Sequence, residues 1–245
     1  MKVEISALAG LPEVRPGDDL GALLSRAMPG PPEPGDIVVV AHKVVSKAEG
    51  RLVRLADVEP SARAVELAAG HDKDPRAVEV VLRESVELVR AERGVLISRT
   101  RHGFVCANAG VDASNAADPD TLVLLPEDPD ASARRLRAAL PGRPAVVITD
   151  SFGRAWRHGQ VDVAIGLAGL APLEDWRGRP DSAGRLMRAT WLAVADMVAA
   201  AGDLVRTKDA GTPAALVRGL GRHVTEQDGP GVAPLLRSAD DDLFR

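Results

Sequence analysis

The chain has 245 residues, 45% of them hydrophobic, and its mean hydropathy is -0.03, values typical of a soluble globular protein rather than a disordered one. It contains 31 Lys and Arg residues and 35 Asp and Glu residues, which gives a net charge of -4. It therefore has no basic excess for binding nucleic acid. The single cysteine, Cys106, and the lack of any apolar run of about 20 residues predict a cytoplasmic protein without disulfide or membrane partner.

Apolar periodicity predicts secondary structure along the chain. The predicted strands are Lys2–Leu8, Asp36–Ala41, a β-prone run Val44–Leu55, Val86–Arg90, Val95–Ser98, Phe104–Asn108, Leu122–Leu125, Ala145–Thr149, Val161–Leu170 and Ala214–Arg218. The predicted helices are Leu20–Met28, Pro60–Ala69, Asp74–Ser85, Ala131–Leu140 and Gly184–Val205. Strands and helices alternate without a regular βαβ period, which favours a mixed α/β (α+β) body of one or two lobes over a Rossmann fold or a TIM barrel.

Several nucleotide and hydrolase signatures are missing from the sequence. It contains no G-x-x-x-x-G-K-[ST] and no G-x-G-x-x-G after a strand, so a standard P-loop and a dinucleotide fingerprint are both excluded. It also lacks H-E-x-x-H, paired C-x-x-C and G-x-S-x-G motifs, which disfavours zinc hydrolysis and serine esterase chemistry.

Two acids follow apolar strands, Asp112 in Gly110–Asn115 and Asp150 in Ile148–Arg154. Ligands commonly bind at the carboxyl ends of strands in α/β proteins, and two carboxylates with the hydroxyl of Ser151 are oxygen ligands suited to Mg²⁺ or Mn²⁺. The alternative is that both Asp residues only cap turns or helices.

A second group of residues is basic. Lys43 and Lys47 are two of only five lysines in the chain, and Arg154, Arg157 and His158 follow Asp150 closely. Cations beside a metal commonly hold a phosphate, whereas the alternative for Arg157 and His158 is a solvated charged surface.

Two further segments each allow a functional and a structural interpretation. The Gly/Pro loop that contains Leu11–Val14 could present N–H groups to an anion, or it could be an ordinary turn. Cys106 lies in a buried-strand pattern and is interpreted as a small core residue rather than a nucleophile.

Four strings in this order resemble the coenzyme F420:L-glutamate ligases. They are Leu11–Val14, Lys43–Arg51, Asn108–Asn115 and Ile148–Arg154. The resemblance runs from about residue 3 to Gly219 and implies a GTP-dependent γ-glutamyl ligase. It also implies a two-lobed γ-glutamyl ligase-like fold, an intertwined homodimer, and one domain over residues 1–245 without a fused flavin-binding domain.

The resemblance implies a reaction as well. The γ-phosphoryl group of GTP would pass to the terminal carboxylate of a deazaflavin coenzyme precursor, and the amino group of L-glutamate would attack the acyl phosphate, with further γ-linked extension. Mg²⁺ or Mn²⁺ is the implied metal, and K⁺ is a further candidate ion. Such chemistry relies on positioning and electrostatics rather than on a protein nucleophile.

Site residues follow from the resemblance position by position. Asp112, Asp150 and Ser151 resemble the metal ligands, with Ser151 where the family usually has Thr. Nucleotide contacts are implied for Leu11, Pro12, Glu13, Val14, His42, Lys43, Lys47 and Asn115. Lys47, which would meet the GTP phosphates, and Asp150 are the implied catalytic residues.

Three positions depart from the family pattern: His42, Ala183 and Met197. They keep two alternatives open: a ligase for a different amino acid or carboxylate acceptor, and a non-catalytic paralogue that binds GTP and metal.

Overall fold

The fold is mixed α/β, as the sequence predicts. The computed structural model describes residues 2–114, 118–207 and 211–242. Its strands are β1 (Glu4–Leu8), β2 (Ile37–Ala41), β3 (Leu52–Arg54), β4 (Ser85–Glu92), β5 (Val95–Thr100), β6 (Val105–Ala107), β7 (Thr121–Val123), β8 (Ala145–Arg154), β9 (Arg157–Ala168), β10 (Glu174–Asp175), β11 (Trp191–Leu192) and β12 (Ala214–Arg218). Its α-helices are α1 (Leu20–Ala27), α2 (His42–Ala48), α3 (Ala62–His71), α4 (Pro75–Arg83), α5 (Pro129–Ala139) and α6 (Val194–Asp203).

A five-stranded sheet in the order β1-β12-β2-β8-β9 forms the centre of the molecule. β2 and β8 pair in parallel, and the other neighbours are antiparallel. β2 and the first half of β8 are continuous apolar runs because both faces of the sheet are covered.

Helices α5 and α6 cover opposite faces of this sheet. A side chain at Gly166 of β9 would collide with the Pro129 carbonyl at the start of α5, and a Cβ at Gly202 of α6 would lie 2.8 Å from Val39 Cγ1. Val39 is in register with Val147 and Leu167, so it projects from the face opposite to that of Gly166. The two glycines therefore let both helices pack closely on the sheet.

The segment between α2 and α5 builds smaller cores beside the main one. One cluster packs α3 and α4 against β5, around Ala64, Val78, Val81 and Leu96. Another, which includes Leu55, Val80 and Leu122, joins α4 to the β3–β7 pair. A division into two lobes stays a prediction. In the described part of the chain, no helix has the length and apolar character that crossing a bilayer requires.

Two element predictions were wrong. The first half of the β-prone run Val44–Leu55 belongs to helix α2, and only β3 is extended. The predicted helix Gly184–Val205 is confined to α6, because residues 176–190 fold back on themselves through backbone hydrogen bonds such as Gly178 N to Met187 O (2.9 Å). β10 and β11 close that segment, so Met187 and Trp191 do not belong to the helical stripe.

Candidate active site

The candidate site lies where the parallel pairing of β2 and β8 ends. The last paired residues are Ala41 and Thr149. The chain then turns into α2 at His42, whereas β8 continues through Asp150 and Ser151 with β9 as its partner. The prediction that Asp150 follows a strand is thus corrected in one respect: the strand runs on to Arg154, and it is the neighbouring strand that ends.

His42 and Asp150 meet at this point. His42 Nε2 lies 3.2 Å from Asp150 Oδ1, although the contact lacks hydrogen-bond geometry. The ring is 1% exposed, and its Nδ1 lies 3.4 Å from Ser46 Oγ one turn along α2. His42 therefore borders the cleft as a fixed neighbour of Asp150.

Lys47 lies one turn after Lys43 and is 6% exposed. Its Nζ contacts Glu13 Oε1 at 2.5 Å, and the Glu13 side chain is 56% exposed. Glu13 belongs to the loop Leu11–Val14, which forms one wall of a first cleft. All the predicted nucleotide contacts except Asn115 thus lie around this first cleft. Its lining includes Leu11, Pro12, Glu13, Val14, His42, Lys43, Lys47, Asp150 and Ser151.

Asp112 is tied to helix α2. Its Oδ2 lies 2.6 Å from Lys43 Nζ, which also donates to Ser114 Oγ at 2.7 Å. Burial alone would raise the pKa of Asp112, but the hydrogen bonds from Lys43 and Ser114, together with the Lys43 charge, outweigh it and the pKa is lowered. Asp112 is thus held as a carboxylate. The predicted contact Asn115 lies outside the described residues.

A buried polar network that the sequence analysis missed supports Ser151. Asp162 accepts hydrogen bonds from Ser151 Oγ (2.7 Å), Thr149 Oγ1 (2.6 Å) and Arg206 Nη2 (2.5 Å). Asp162 is 4% exposed and Arg206 is 6% exposed. Asp162 pairs with the permanently charged guanidinium of Arg206 and accepts the hydrogen bond that the Ser151 hydroxyl donates. The lone pairs of Ser151 Oγ remain for a ligand.

The sequence analysis also did not predict four other residues that line the first cleft, Thr207, Gly211, Thr212 and Pro213. In the described part of the chain, Thr212 Oγ1 is buried without a hydrogen-bond partner. One signal was available for the network, since Asp162 is a charged residue inside an otherwise apolar strand pattern. Arg206 lies 44 residues later in the chain, so no local sequence pattern predicts its contact with Asp162.

A second cleft shares Asp150 and Ser151 with the first. It is lined by residues near the start of α4, by Cys106–Asn108 and Gly110–Ala113, and by Phe152 of β8. Burial and the nearby Asp150 charge raise the pKa of Cys106 to about 12, so its thiol stays protonated and is no nucleophile. The prediction of a core-like Cys106 is confirmed.

The described residues include no cluster of three or more His, Cys, Asp or Glu side chains arranged to hold a metal. Asp112 and Asp150 nevertheless line the same cleft. Mg²⁺ in phosphoryl-transfer sites commonly takes one or two carboxylates and completes its shell with phosphate oxygens and water. The two carboxylates and Ser151 Oγ fit such a site.

The remaining sequence candidates lie elsewhere. Arg157 and His158 are exposed near the tip of the β8–β9 hairpin, consistent with a solvated charged surface. Ala183 is exposed in the fold-back segment and Met197 is 59% exposed on α6, and neither lines the two clefts described above. Of the three departures from the family pattern, only His42 borders the site.

Comparison with known proteins gives consistent matches. A family model described as F420-0:gamma-glutamyl ligase matches residues 10–219. The coenzyme F420:L-glutamate ligase of Methanothermobacter thermautotrophicus is 44% identical, with 100% of each chain covered. The proteins of the same name from Methanopyrus kandleri and Halorubrum lacusprofundi are 46% and 44% identical, covering 95% and 96% of this chain and 94% and 98% of their own. The resemblance found from the motifs is confirmed.

Proposed function

Because the chain belongs to the F420-0:gamma-glutamyl ligase family, we propose that it is a GTP-dependent ligase that joins L-glutamate to a deazaflavin coenzyme precursor. The observation that carries the proposal is Lys47, a cation that is 6% exposed and whose contact is a mostly exposed glutamate at the cleft rim. A buried cation needs an anionic partner, and a nucleotide phosphate entering the first cleft can displace Glu13.

The reaction has two balanced steps. In the first, a carboxylate oxygen of the acceptor attacks the γ-phosphorus of GTP; the new O–P bond forms as the bond to the β-phosphate oxygen breaks, and GDP leaves. In the second, the glutamate nitrogen attacks the acyl carbon, the C–N bond forms, and phosphate leaves with the electron pair of the broken C–O bond. Of the two protons that the ammonium group loses, one leaves on hydrogen phosphate and one passes to solvent.

The residues of the two clefts divide this work. Lys47 and the N–H groups of the Leu11–Val14 loop would hold the phosphates, because both offer donors to oxyanions. His42 packs beside Asp150, and Asp162 orients Ser151. Asp112, Asp150 and Ser151 would hold Mg²⁺ or Mn²⁺, which when bound neutralises phosphate charge. We further propose that the active form is a homodimer.

The test of the proposal is mass spectrometry of the deazaflavin precursor incubated with the protein, L-glutamate, GTP and Mg²⁺ or Mn²⁺. We expect a GTP-dependent gain of one or more glutamyl units. Glutamylation of another acceptor, or transfer of another amino acid, would replace the proposed substrates. GTP binding without product in any acceptor screen would indicate a non-catalytic protein.

A substitution at Lys47 tests the role of the cleft. We expect Lys47→Ala to lower kcat/KM for GTP by about 100-fold, because one preorganised charge on the transferring phosphoryl group is lost. Lys2→Ala is the matched control. Lys2 is an exposed lysine that pairs with Glu4 of β1, the strand at one edge of the sheet. Equal kcat/KM values for GTP in the two variants would contradict the proposed role of Lys47 in holding the phosphates.

A further inference from the structure

The two clefts share Asp150 and Ser151. The first carries Lys47 and the loop Leu11–Val14, and the second opens toward α4 and the turn that follows β6. In a ligase, the molecules that react must meet at one point. The second cleft, of about 370 Å³, falls within the usual range of small-molecule sites, so it has room for a substrate that reaches Asp150 through a cleft that Lys47 does not line.

Lys73 gives the second cleft an available cation. Among the described residues, the other lysines are paired: Lys2 with Glu4, Lys43 with Asp112 and Lys47 with Glu13. Lys73 has no ion pair there, and the neighbouring Asp74 is bound by Arg76 through its backbone N and its guanidinium. Lys73 can therefore pair with a carboxylate that enters the cleft.

Asn108 gives the same cleft an available acceptor. Its Oδ1 is buried and, within the described part of the chain, accepts no hydrogen bond. Asn108, Ala109 and Gly110 have φ of 52°, 53° and 71°, three consecutive residues in the left-handed region. Strain of this kind persists where the surroundings hold it, commonly at ligand sites. The turn keeps the Asn108 amide in the cleft wall.

A cation and a buried unpartnered acceptor, which line one cleft beside the proposed metal ligands, complement a zwitterion that carries an additional carboxylate. We propose that the second cleft is the L-glutamate subsite, in which Lys73 pairs with one glutamate carboxylate and Asn108 Oδ1 accepts a hydrogen bond from the glutamate nitrogen. This inference rests on the proposed ligase function. It places the nucleophilic nitrogen beside Asp150 in the cleft that Lys47 does not line.

The experiment compares Lys73→Gln and Asn108→Gly in steady-state kinetics with each substrate varied in turn. Loss of one charge-assisted contact predicts a rise in the KM for glutamate of about tenfold in each variant. The KM values for GTP and for the deazaflavin acceptor stay within about twofold of wild type, since single variants away from a contact change affinity little. Glycine at position 108 preserves the left-handed backbone, and Lys73→Gln, at a partly exposed side chain, tests the proposal even if Asn108→Gly does not fold.

Two analogues identify the carboxylate that Lys73 binds. Glutamine lacks the γ-carboxylate and isoglutamine lacks the α-carboxylate; Lys73→Gln will have no added effect on the analogue that has lost the paired group. Lys2→Gln serves as the control lysine. An added effect of equal size on both analogues, or a rise in the KM for the acceptor instead of glutamate, overturns the inference while the ligase function stands. A wild-type protein without any glutamylated product overturns the proposed function itself.

Discussion

The hydroxyl of Ser151 depends on Asp162, a buried residue in the wall of the first cleft. Asp162 is a buried acceptor shared by Ser151, Thr149 and Arg206. Replacing it by Asn leaves the Arg206 charge unpaired, and breaking a buried ion pair costs about 3–5 kcal/mol. We therefore expect Asp162→Asn to lower the free energy of unfolding by that amount in urea titrations.

Ser151→Ala separates stability from function at the same place. It removes one hydrogen bond to Asp162 and should cost only about 1 kcal/mol, while Ser151→Thr keeps the hydroxyl and should keep Mn²⁺ binding as measured by electron paramagnetic resonance. If Asp162→Asn unfolds at the same urea concentration as Ser151→Ala, the ion pair does not carry the energy assigned to it.

Asp196 predicts a pH dependence of stability. Burial raises its pKa above the ordinary value of 3.8, opposed by the hydrogen bond that Ala164 N donates to Oδ1 at 2.9 Å. Between the unfolded and folded pKa values the native state binds more protons, so this residue's contribution to stability is present at low pH and is lost as the pH rises through the folded pKa. Asp196→Asn keeps the acceptor without the charge.

We expect Asp196→Asn to be at least as stable as wild type at pH 7, with a smaller loss of stability between pH 4 and pH 7. Unfolding in urea at both pH values measures the difference, and Met197→Gln on the exposed side of α6 is the control. A variant markedly less stable than wild type at pH 7 would contradict the assignment.

At the scale of elements, two glycines in helices should respond to alanine with opposite sign. A Cβ at Gly202 of α6 would lie 2.8 Å from Val39 Cγ1, whereas a Cβ at Gly70 of α3 would meet no atom within 4 Å. Overpacking costs about 1–3 kcal/mol, and alanine is favoured over glycine in a helix by about 1 kcal/mol. Thermal unfolding should show Gly202→Ala destabilised and Gly70→Ala stabilised; stabilisation by both would mean that α6 adjusts freely on the sheet.

Element prediction from the sequence succeeded where one physical rule decides. The predicted strand Asp36–Ala41 contains β2, and the predicted helix Ala131–Leu140 overlaps most of α5, because an apolar run or an apolar periodicity decides each of them. It failed at α2, because Val44 and Val45 favour strands by propensity, whereas both are buried in a helix that begins where β2 ends. Asp112 and Lys43 could be proposed as site residues one by one, but their 2.6 Å contact depends on long-range packing that no local pattern encodes.

At the scale of the whole molecule, packing on the core of a single chain does not explain why the segment 176–190 is ordered. Residues 176–190 hydrogen bond mainly with each other, and they leave Leu186 64% exposed and the adjacent Trp191 51% exposed. Ordering such a segment costs conformational entropy, and burial of its exposed apolar side chains in an interface would offset that cost. We propose that the homodimer forms through this surface.

Sedimentation velocity tests that assembly. We expect wild type to sediment as a dimer at micromolar concentrations and Leu186→Lys to shift it to monomer, because a charge in the centre of an apolar interface must be desolvated without a partner. Val65→Lys is the matched control, since Val65 is 49% exposed on α3, away from the fold-back segment in sequence. If the wild type sediments as a monomer at all concentrations, the proposed homodimer is wrong. An unchanged dimer in Leu186→Lys would keep the dimer but move its interface elsewhere, since this segment would then contribute none of the buried area.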